Sequence, residues 1–578
     1  MNKAVMAALV SVGLALGGCS STRGGQDVAC SDFDRFAVTP RALGYVQDIQ
    51  RYAPRVSVES DAGVQGEATR SDPLKDLIIS DVFGQDPDNF RARQSAGTGT
   101  GAEDIVITRL RPQRNILLLS GGGQWGAFGA GLFLGLACKD DKVPTNRNEI
   151  PCMVVDPGED LEDVADDTRT IIADQIDFSR IDEMGIGVIT GVSTGGLQSL
   201  LLSVVVDRTQ PHLTRVAALQ QLLASYAPPS EEFLVDRNGF LQVVFTGSVA
   251  GTDGLREHVS DVLQGLYRFQ DFDEFDQPLP PVERRLIEHI GRSRVAPLVG
   301  FVAGTDGEFK IVDMRKMAGD LALDAVLAES LGQASDNEGY DLPTRCVVAT
   351  TLASAAMPVF HQQLRVMKGN GAAPIPETLF DGGVRRSVFV GNFVDQLNEA
   401  YDEVEELAAR EGRSPPSFPK FYVVRNGPTT AKPGERIDEV TTAEPQAMRA
   451  YTLLVNELEV GSIAALRLYN PYGQIEMTTA DGAENHEPSA ILDEQGEPID
   501  LNARRACIKK GEEMFNPVFM RCLQNFGARR GLSIESDGDA PIPAFWPLRT
   551  IPRPIPEPIQ APEGAVSVAD PLEEQPAS

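Results

Sequence analysis

The chain has 578 residues, 42% of them hydrophobic, and a formal net charge of −31. That length supplies a large core and favours more than one structural unit. The charge excludes a nucleic-acid partner, because phosphate-backbone binding needs clusters of Lys and Arg that the chain lacks.

The first stretch, MNKAVMAALVSVGLALGGCSS, has one cation at Lys3, an apolar core from Ala4 to Leu16, and Leu16-Gly17-Gly18 directly before Cys19. A core this short falls below the roughly 20 residues that span a bilayer and reads as a signal peptide over residues 1–18. Its last four residues resemble a bacterial lipobox, whose cysteine is lipidated and becomes the mature N-terminus. The expectation is an exported lipoprotein, anchored in the membrane through Cys19 and facing the periplasm, with Ser20 pointing to the outer membrane. Export also permits disulfides: Cys30, Cys138, Cys152, Cys346, Cys507 and Cys522 allow 15 pairings, with Cys138–Cys152 and Cys507–Cys522 the local candidates. No cysteine pair has metal-finger spacing and the five histidines are well separated, so neither a metal nor a cofactor is expected.

Residues 19–113 form an N-terminal segment that ends in a linker-like RQSAGTGTGAED. Over 114–427 the strand-like runs NILLL, GIGVIT, PLVGFVAG, RCVVAT and KFYVVRNG alternate with helix-like stretches. This is the pattern of an α/β domain with a mainly parallel central sheet. Within it, FVAGTDGEFKIVDM predicts a hairpin turning at Thr305-Asp306-Gly307. The run Asp156 to Glu183 carries 11 carboxylates against Arg169 and Arg180, lacks the order of a calcium loop, and reads as a solvated insertion. Residues 428–530 read as mostly helical, and 531–578 as a proline-rich tail, too proline-rich to pack from about Pro541.

A glycine turn opens the α/β region: LLLSGGGQWGAFGAGLFLGL, residues 117–136. The apolar lead-in Ile116 to Leu119 suits a buried parallel strand, and the following glycines let backbone amides face an anion ahead of a helix N-terminus. That anion is either a phosphate or an oxyanion formed during a reaction. Gly126-Ala127-Phe128 does not match the Gly-Lys-Ser/Thr end of a Walker loop. A dinucleotide fingerprint with Asp140 or Asp141 as the acidic residue, and a plain strand-to-helix connection, both remain open on this stretch alone.

Further along, GIGVITGVSTGGLQSLLLS places Ser193 in Gly191-Val192-Ser193-Thr194-Gly195 between an apolar strand and a helix-compatible run. This is the strand, sharp turn and helix that a nucleophile elbow requires, with Gly191 and Gly195 clearing space for the turn. A serine needs a base. His361, in AAMPVFHQQ, and His486, in ENHEPSA, do not follow a core strand and an acidic partner. Asp381, in LFDGGVRRSV, does lie at a strand end, freed by Gly382 and Gly383 to approach another backbone.

Taken in order, Gly121-Gly122-Gly123-Gln124-Trp125-Gly126, the serine turn and Asp381-Gly382-Gly383 resemble the three signatures of the patatin-like phospholipases. ASAAMPVF, Ala353 to Phe360, is similar to a further segment of that family. The resemblance implies a three-layer α/β/α fold, hydrolysis of carboxylic esters of lipids, and a Ser193–Asp381 dyad working without histidine. It also implies an oxyanion hole at Gly121, Gly122, Gly123 and Gly126. The chain departs from the family at Trp125, where Arg or Lys is usual, and at Ser387 and Phe389, where Asn and Pro are common. Two alternatives stand beside this reading: an inactive lipoprotein on the same fold with a binding or scaffolding role, and a Ser-His-Asp esterase using His361 or His486. A carboxylate base raised only modestly above 3.9 predicts substantial activity at about pH 5.5, where a histidine base would have switched off.

Overall fold

The structure, a computed structural model, describes residues 25–30, 33–39, 72–95, 114–139, 150–156, 168–237, 250–269, 282–330, 342–358, 360–368, 375–386, 388, 391–429, 443–470, 474–483, 507, 514–533, 536–537 and 540–548. The signal peptide, Cys19, most of the linker, stretch 157–167 of the acidic insertion, Ser387, Phe389, His486 and residues 549–578 lie outside them.

Eleven strands make one sheet: β1 (Gly25–Ala29), β2 (Ala37–Val38), β3 (Asn115–Leu119), β4 (Ile186–Val192), β5 (Ala296–Ala303), β6 (Phe309–Asp313), β7 (Gln363–Lys368), β8 (Ile375–Asp381), β9 (Phe421–Arg425), β10 (Ile475–Thr479) and β11 (Trp546–Leu548). At its centre β5, β4, β3, β9 and β10 lie side by side and parallel. Seven helices matter below: α1 (Gly126–Ala137), α2 (Thr194–Val205), α3 (His212–Ser225), α4 (Leu342–Ala355), α5 (Gly391–Arg410), α6 (Ala443–Tyr469) and α7 (Pro517–Gly531).

The central strands are buried on both faces, as continuous apolar runs demand. Leu117 and Leu119 of β3, with Tyr422 and Val424 of β9, enter one core together with α1, α2, α3, α4 and α7. Ile116, Leu118, Phe421 and Val423 point the other way, into a second core with α5, α6 and the short helix Pro73–Leu77. The result is a three-layer α/β/α fold with a mainly parallel central sheet.

The edge of β5 sets up the site. Along one edge β5 pairs with β6 over Leu298 to Val302. Along the other it pairs first with β4, parallel, and then with β8, antiparallel. Strands β4 and β8 therefore run toward each other and meet end to end, with Val192 opposite Gly300 and Asp381 opposite the next residue, Phe301.

The hairpin expected at Thr305-Asp306-Gly307 joins β5 to β6. RCVVAT, expected as a strand, is instead part of α4. A short apolar run fits a buried helix as well as a buried strand, and Leu342-Pro343 opens the helix here. The 114–427 boundaries also change: β1 and β2 come from the N-terminal segment, while β10, α7 and β11 come from beyond residue 427. Packing extends past Pro541, since β11 pairs with β10 and Phe545 stacks edge-on against Tyr422. Both local disulfides, Cys138–Cys152 and Cys507–Cys522, are present, and Cys30 is bonded to Cys346.

Candidate active site

Strand β4 delivers Ser193 in a turn at φ 54° and ψ −125°, a region that side chains rarely occupy and that costs roughly 1–3 kcal/mol. Gly191 and Gly195 make the turn possible. A Cβ on Gly191 would press into the Gly195 carbonyl, and one on Gly195 would sit 2.7 Å from the Leu119 and Ser120 carbonyl oxygens. The Ser193 amide donates to Ser354 Oγ at 2.8 Å, and that hydroxyl donates to the Gly300 carbonyl at 2.6 Å. Ser354, near the end of α4, thereby ties the turn to β5. Helix α2 begins immediately after Ser193 and directs the positive end of its dipole at the same point.

Asp381 closes β8 and is buried. Its amide donates to the Ala356 carbonyl at 3.0 Å, and its carboxyl accepts from the Gly383 amide at 2.6 Å, with the Ser193 side chain beside it. Gly382 allows the close approach, because a Cβ there would meet the Gly300 carbonyl oxygen at 2.6 Å. Burial raises the carboxyl from 3.8 to about 7, against the pull of the Gly383 amide and the Ser193 side chain. The expectation of substantial activity at about pH 5.5 assumed a carboxyl raised only modestly above 3.9, and burial carries this one further. The sequence shows a strand-end aspartate but not how completely the neighbouring elements desolvate it.

The glycine turn faces the dyad across a cavity of about 440 Å³. Gly122 and Gly123 have φ of 145° and 54°, and among the described residues their amides donate to no protein group. Gly121, Gly122, Gly123, Ser193 and Asp381 all line this cavity. Gly126 is placed differently from the expectation: its amide is directed at the Gly123 carbonyl, and its bareness clears the Thr194 hydroxyl and the Tyr226 ring. Trp125 is half-buried and packs edge-on against Phe519 of α7, with ring centroids 5.0 Å apart. An aromatic here extends the apolar wall where a cation would not pack.

Most of that wall is apolar, with Leu197, Leu234, Leu255, Val259, Phe515 and Met520 on it. One end is polar. Arg425 Nη2 donates to Asn456 Oδ1 at 2.7 Å, and Arg425 Nε lies 3.1 Å from Glu459 in a buried ion pair without a linear hydrogen bond from Nε. Burial pushes the Glu459 carboxyl up, opposed by Arg425. His361 also lines the cavity, with Nδ1 3.0 Å from the Ala355 carbonyl, and burial lowers its pKa. Among the described residues it makes no hydrogen bond to Ser193 or Asp381. No group of three or more His, Cys, Asp or Glu able to hold a metal occurs among the described residues.

The geometry unites Ser193, Asp381, Gly121, Gly122 and Gly123, leaves Gly191 and Gly195 in the elbow, and moves Gly126 into packing. Sequence reasoning missed Ser354, Gln198, Arg425, Asn426 and Glu459. Ser354 lies inside ASAAMPVF, Gln198 inside the run after the serine turn and Arg425 and Asn426 inside KFYVVRNG, but nothing in those patterns singles them out.

The chain is similar to a solved structure, the crystal structure of VipD from Legionella pneumophila, at 12% identity and a TM-score of 0.22, over 73% of this chain and 67% of that one. No protein-family model and no curated protein matches it.

Proposed function

We propose that the protein is a lipid acyl hydrolase of the patatin-like phospholipase type, cleaving carboxylic esters through Ser193 and Asp381. The observation that carries this reading is the end-to-end meeting of β4 and β8, which puts a strained serine and a buried carboxylate on one edge of β5. In its ionised form Asp381 takes the Ser193 hydroxyl proton as Oγ attacks the ester carbonyl. The carbonyl oxygen turns negative beside the Gly122 and Gly123 amides, donors of a kind whose individual loss typically costs about 10²–10³ in rate. Collapse returns the proton to the departing alcohol and leaves an acyl-serine. Water, deprotonated by Asp381, adds to the acyl carbon, and Asp381 returns that proton to Ser193 Oγ as the C–O bond breaks and the acid leaves. The apolar wall receives the acyl chain, and the Arg425–Asn456 end lies where polar parts of a substrate find partners.

Wild type and Ser193→Ala, compared on a panel of lipid and simple esters and on a fluorophosphonate probe, test the reading. Wild type should hydrolyse esters and take up the probe at Ser193, and the variant should lose both by more than about 10³-fold. A variant that keeps either activity, or a wild type inert to both, overturns it.

In the same reading the protein is a periplasm-facing lipoprotein anchored through Cys19, with the outer membrane as its expected site. The lipobox-like sequence supports this, as does the pairing of the other six cysteines, which an oxidising compartment permits. Cys19→Ala should move the protein from the membrane to the soluble fraction, and undiminished membrane binding would sink the anchor.

A further inference from the structure

The glycine turn has to keep its amides pointed at the reacting carbonyl although nothing in its own sequence is rigid. What holds it lies behind it. Asn426 follows the last residue of β9, and Gln198 sits one turn into α2; both side chains are buried. Asn426 Nδ2 donates to the Ser120 carbonyl at 2.9 Å and to Gln198 Oε1 at 2.8 Å. Gln198 Nε2 in turn donates to the Gly126 carbonyl at 2.6 Å. The Asn426 amide adds a bond to Ser120 Oγ at 2.9 Å, and that hydroxyl donates to the Gly121 carbonyl at 2.7 Å.

These bonds grip the turn at its start, Ser120 and Gly121, and at its end, Gly126. The middle, Gly122 and Gly123, is left with free amides. The amide orientations are fixed by their partners: turned over, Asn426 would face two acceptors with an oxygen, and Gln198 would do the same to the Gly126 carbonyl. Space is reserved for the pair too, since a Cβ on Gly129 would come within 2.6 Å of Asn426 Oδ1 and 2.7 Å of Gln198 Nε2. A Cβ on Gly122 would press into the Asn426 carbonyl oxygen.

We infer that Asn426 and Gln198 are a paired clamp that positions the oxyanion-binding amides, resting on the hydrolase reading above. Neither touches the reacting atoms; they are positioning residues, and α2, which begins directly after the nucleophile, supplies half of the support for the anion site. A misplacement of the order of 1 Å near a reacting centre can cost about 10² in rate, which sets the scale expected here.

The test uses Gln198→Met, which keeps the bulk and removes both polar ends, and Asn426→Asp, which removes the donor. For each, kcat and KM on a short-chain ester are measured with the affinity for an alkyl boronic acid, which adds to the serine as a tetrahedral anion, and for an alkyl alcohol of equal length. The clamp predicts a fall in kcat of about 10–10², an equal fall in boronate affinity, and KM and alcohol affinity within about threefold of wild type. Combined with Asn426→Asp, Gln198→Met should add little further loss. If one variant does not fold, the other carries the comparison. Boronate and alcohol affinities falling together, or kcat unchanged in a folded variant, overturn the clamp alone. A wild type inert toward esters and boronate overturns the hydrolase reading and the clamp with it.

Discussion

Two glycine-rich stretches meet at the candidate site, and their glycines are there for different reasons. In the serine elbow both glycines serve one purpose, clearing carbonyls from a turn that the non-glycine residue Ser193 itself strains. In the stretch from Gly121 to Gly135 the purposes separate. Gly122 and Gly123 have left-handed backbones at the turn. Gly131 and Gly135 lie in a regular, wholly buried helix and clear the backbone of α7, where Gly527 and Gly531 return the favour against Phe128 and Leu132. A glycine count therefore overstates the anion site. Two of the seven glycines, Gly131 and Gly135, are there so that α1 and α7 can touch backbone to backbone.

Substitutions can break or sharpen that contrast, beginning with the carboxylate that both turns serve. Asp381→Asn should lower hydrolysis by more than about 10³-fold, with no further loss on top of Ser193→Ala. Because the wild-type carboxyl titrates at about 7, kcat/KM should fall as pH drops through 7, and the limb should persist in His361→Gln. The sign for stability is opposite. Between about pH 4 and 7 the folded state keeps a proton that the unfolded chain has lost, so stability falls as pH rises through that window. Asp381→Asn removes that penalty, which three pKa units put on the order of 4 kcal/mol, and should melt higher than wild type at pH 8 but not at pH 4. Equal melting at both pH values would show that the carboxyl is not desolvated.

Gly122→Ala comes next. It combines a φ of 145° with a collision against the Asn426 carbonyl, and should lose about 10²-fold in kcat as the turn shifts. Gly131→Ala offers the converse, a regular backbone with a collision against the Gln524 carbonyl. Thermal unfolding should show about 1–3 kcal/mol of destabilisation while kcat of the folded protein changes by less than about threefold. A large kcat loss there would make α1 part of the anion site after all. Gly123→Ala should do least: nothing lies within 4 Å of its would-be Cβ, so only the φ of 54° opposes it, by about 1 kcal/mol.

The same distinction explains what the sequence exposes and what it hides. Ser193, Asp381 and the glycine turn are legible because each sits in a contiguous pattern whose spacing has a steric cause. Asn426, Gln198 and Glu459 are single polar residues on unrelated elements, meaningful only once β9, α2 and α6 are brought together. Strand β1, GQDVA, has almost no apolar pattern and is held as an edge by backbone pairing to β7. RCVVAT shows the converse failure, a run with strand composition whose burial on a helix face only the tertiary structure reveals. The titration of Asp381 depends on how completely β5, α4 and the elbow shut out water, which no local motif records.

The bond between Cys30 and Cys346 joins residues 316 positions apart, immediately after β1 on one side and within α4 on the other. A pull applied at Gly25 loads β1 first, a five-residue strand that alone would peel from β7 one hydrogen bond at a time. At Cys30 the load leaves the hydrogen bonds and passes into a covalent link to α4, whose far end holds Ser354 against the serine turn. The bond therefore limits such peeling to β1 itself: past Cys30 a load is held covalently to α4 and no longer by hydrogen bonds alone.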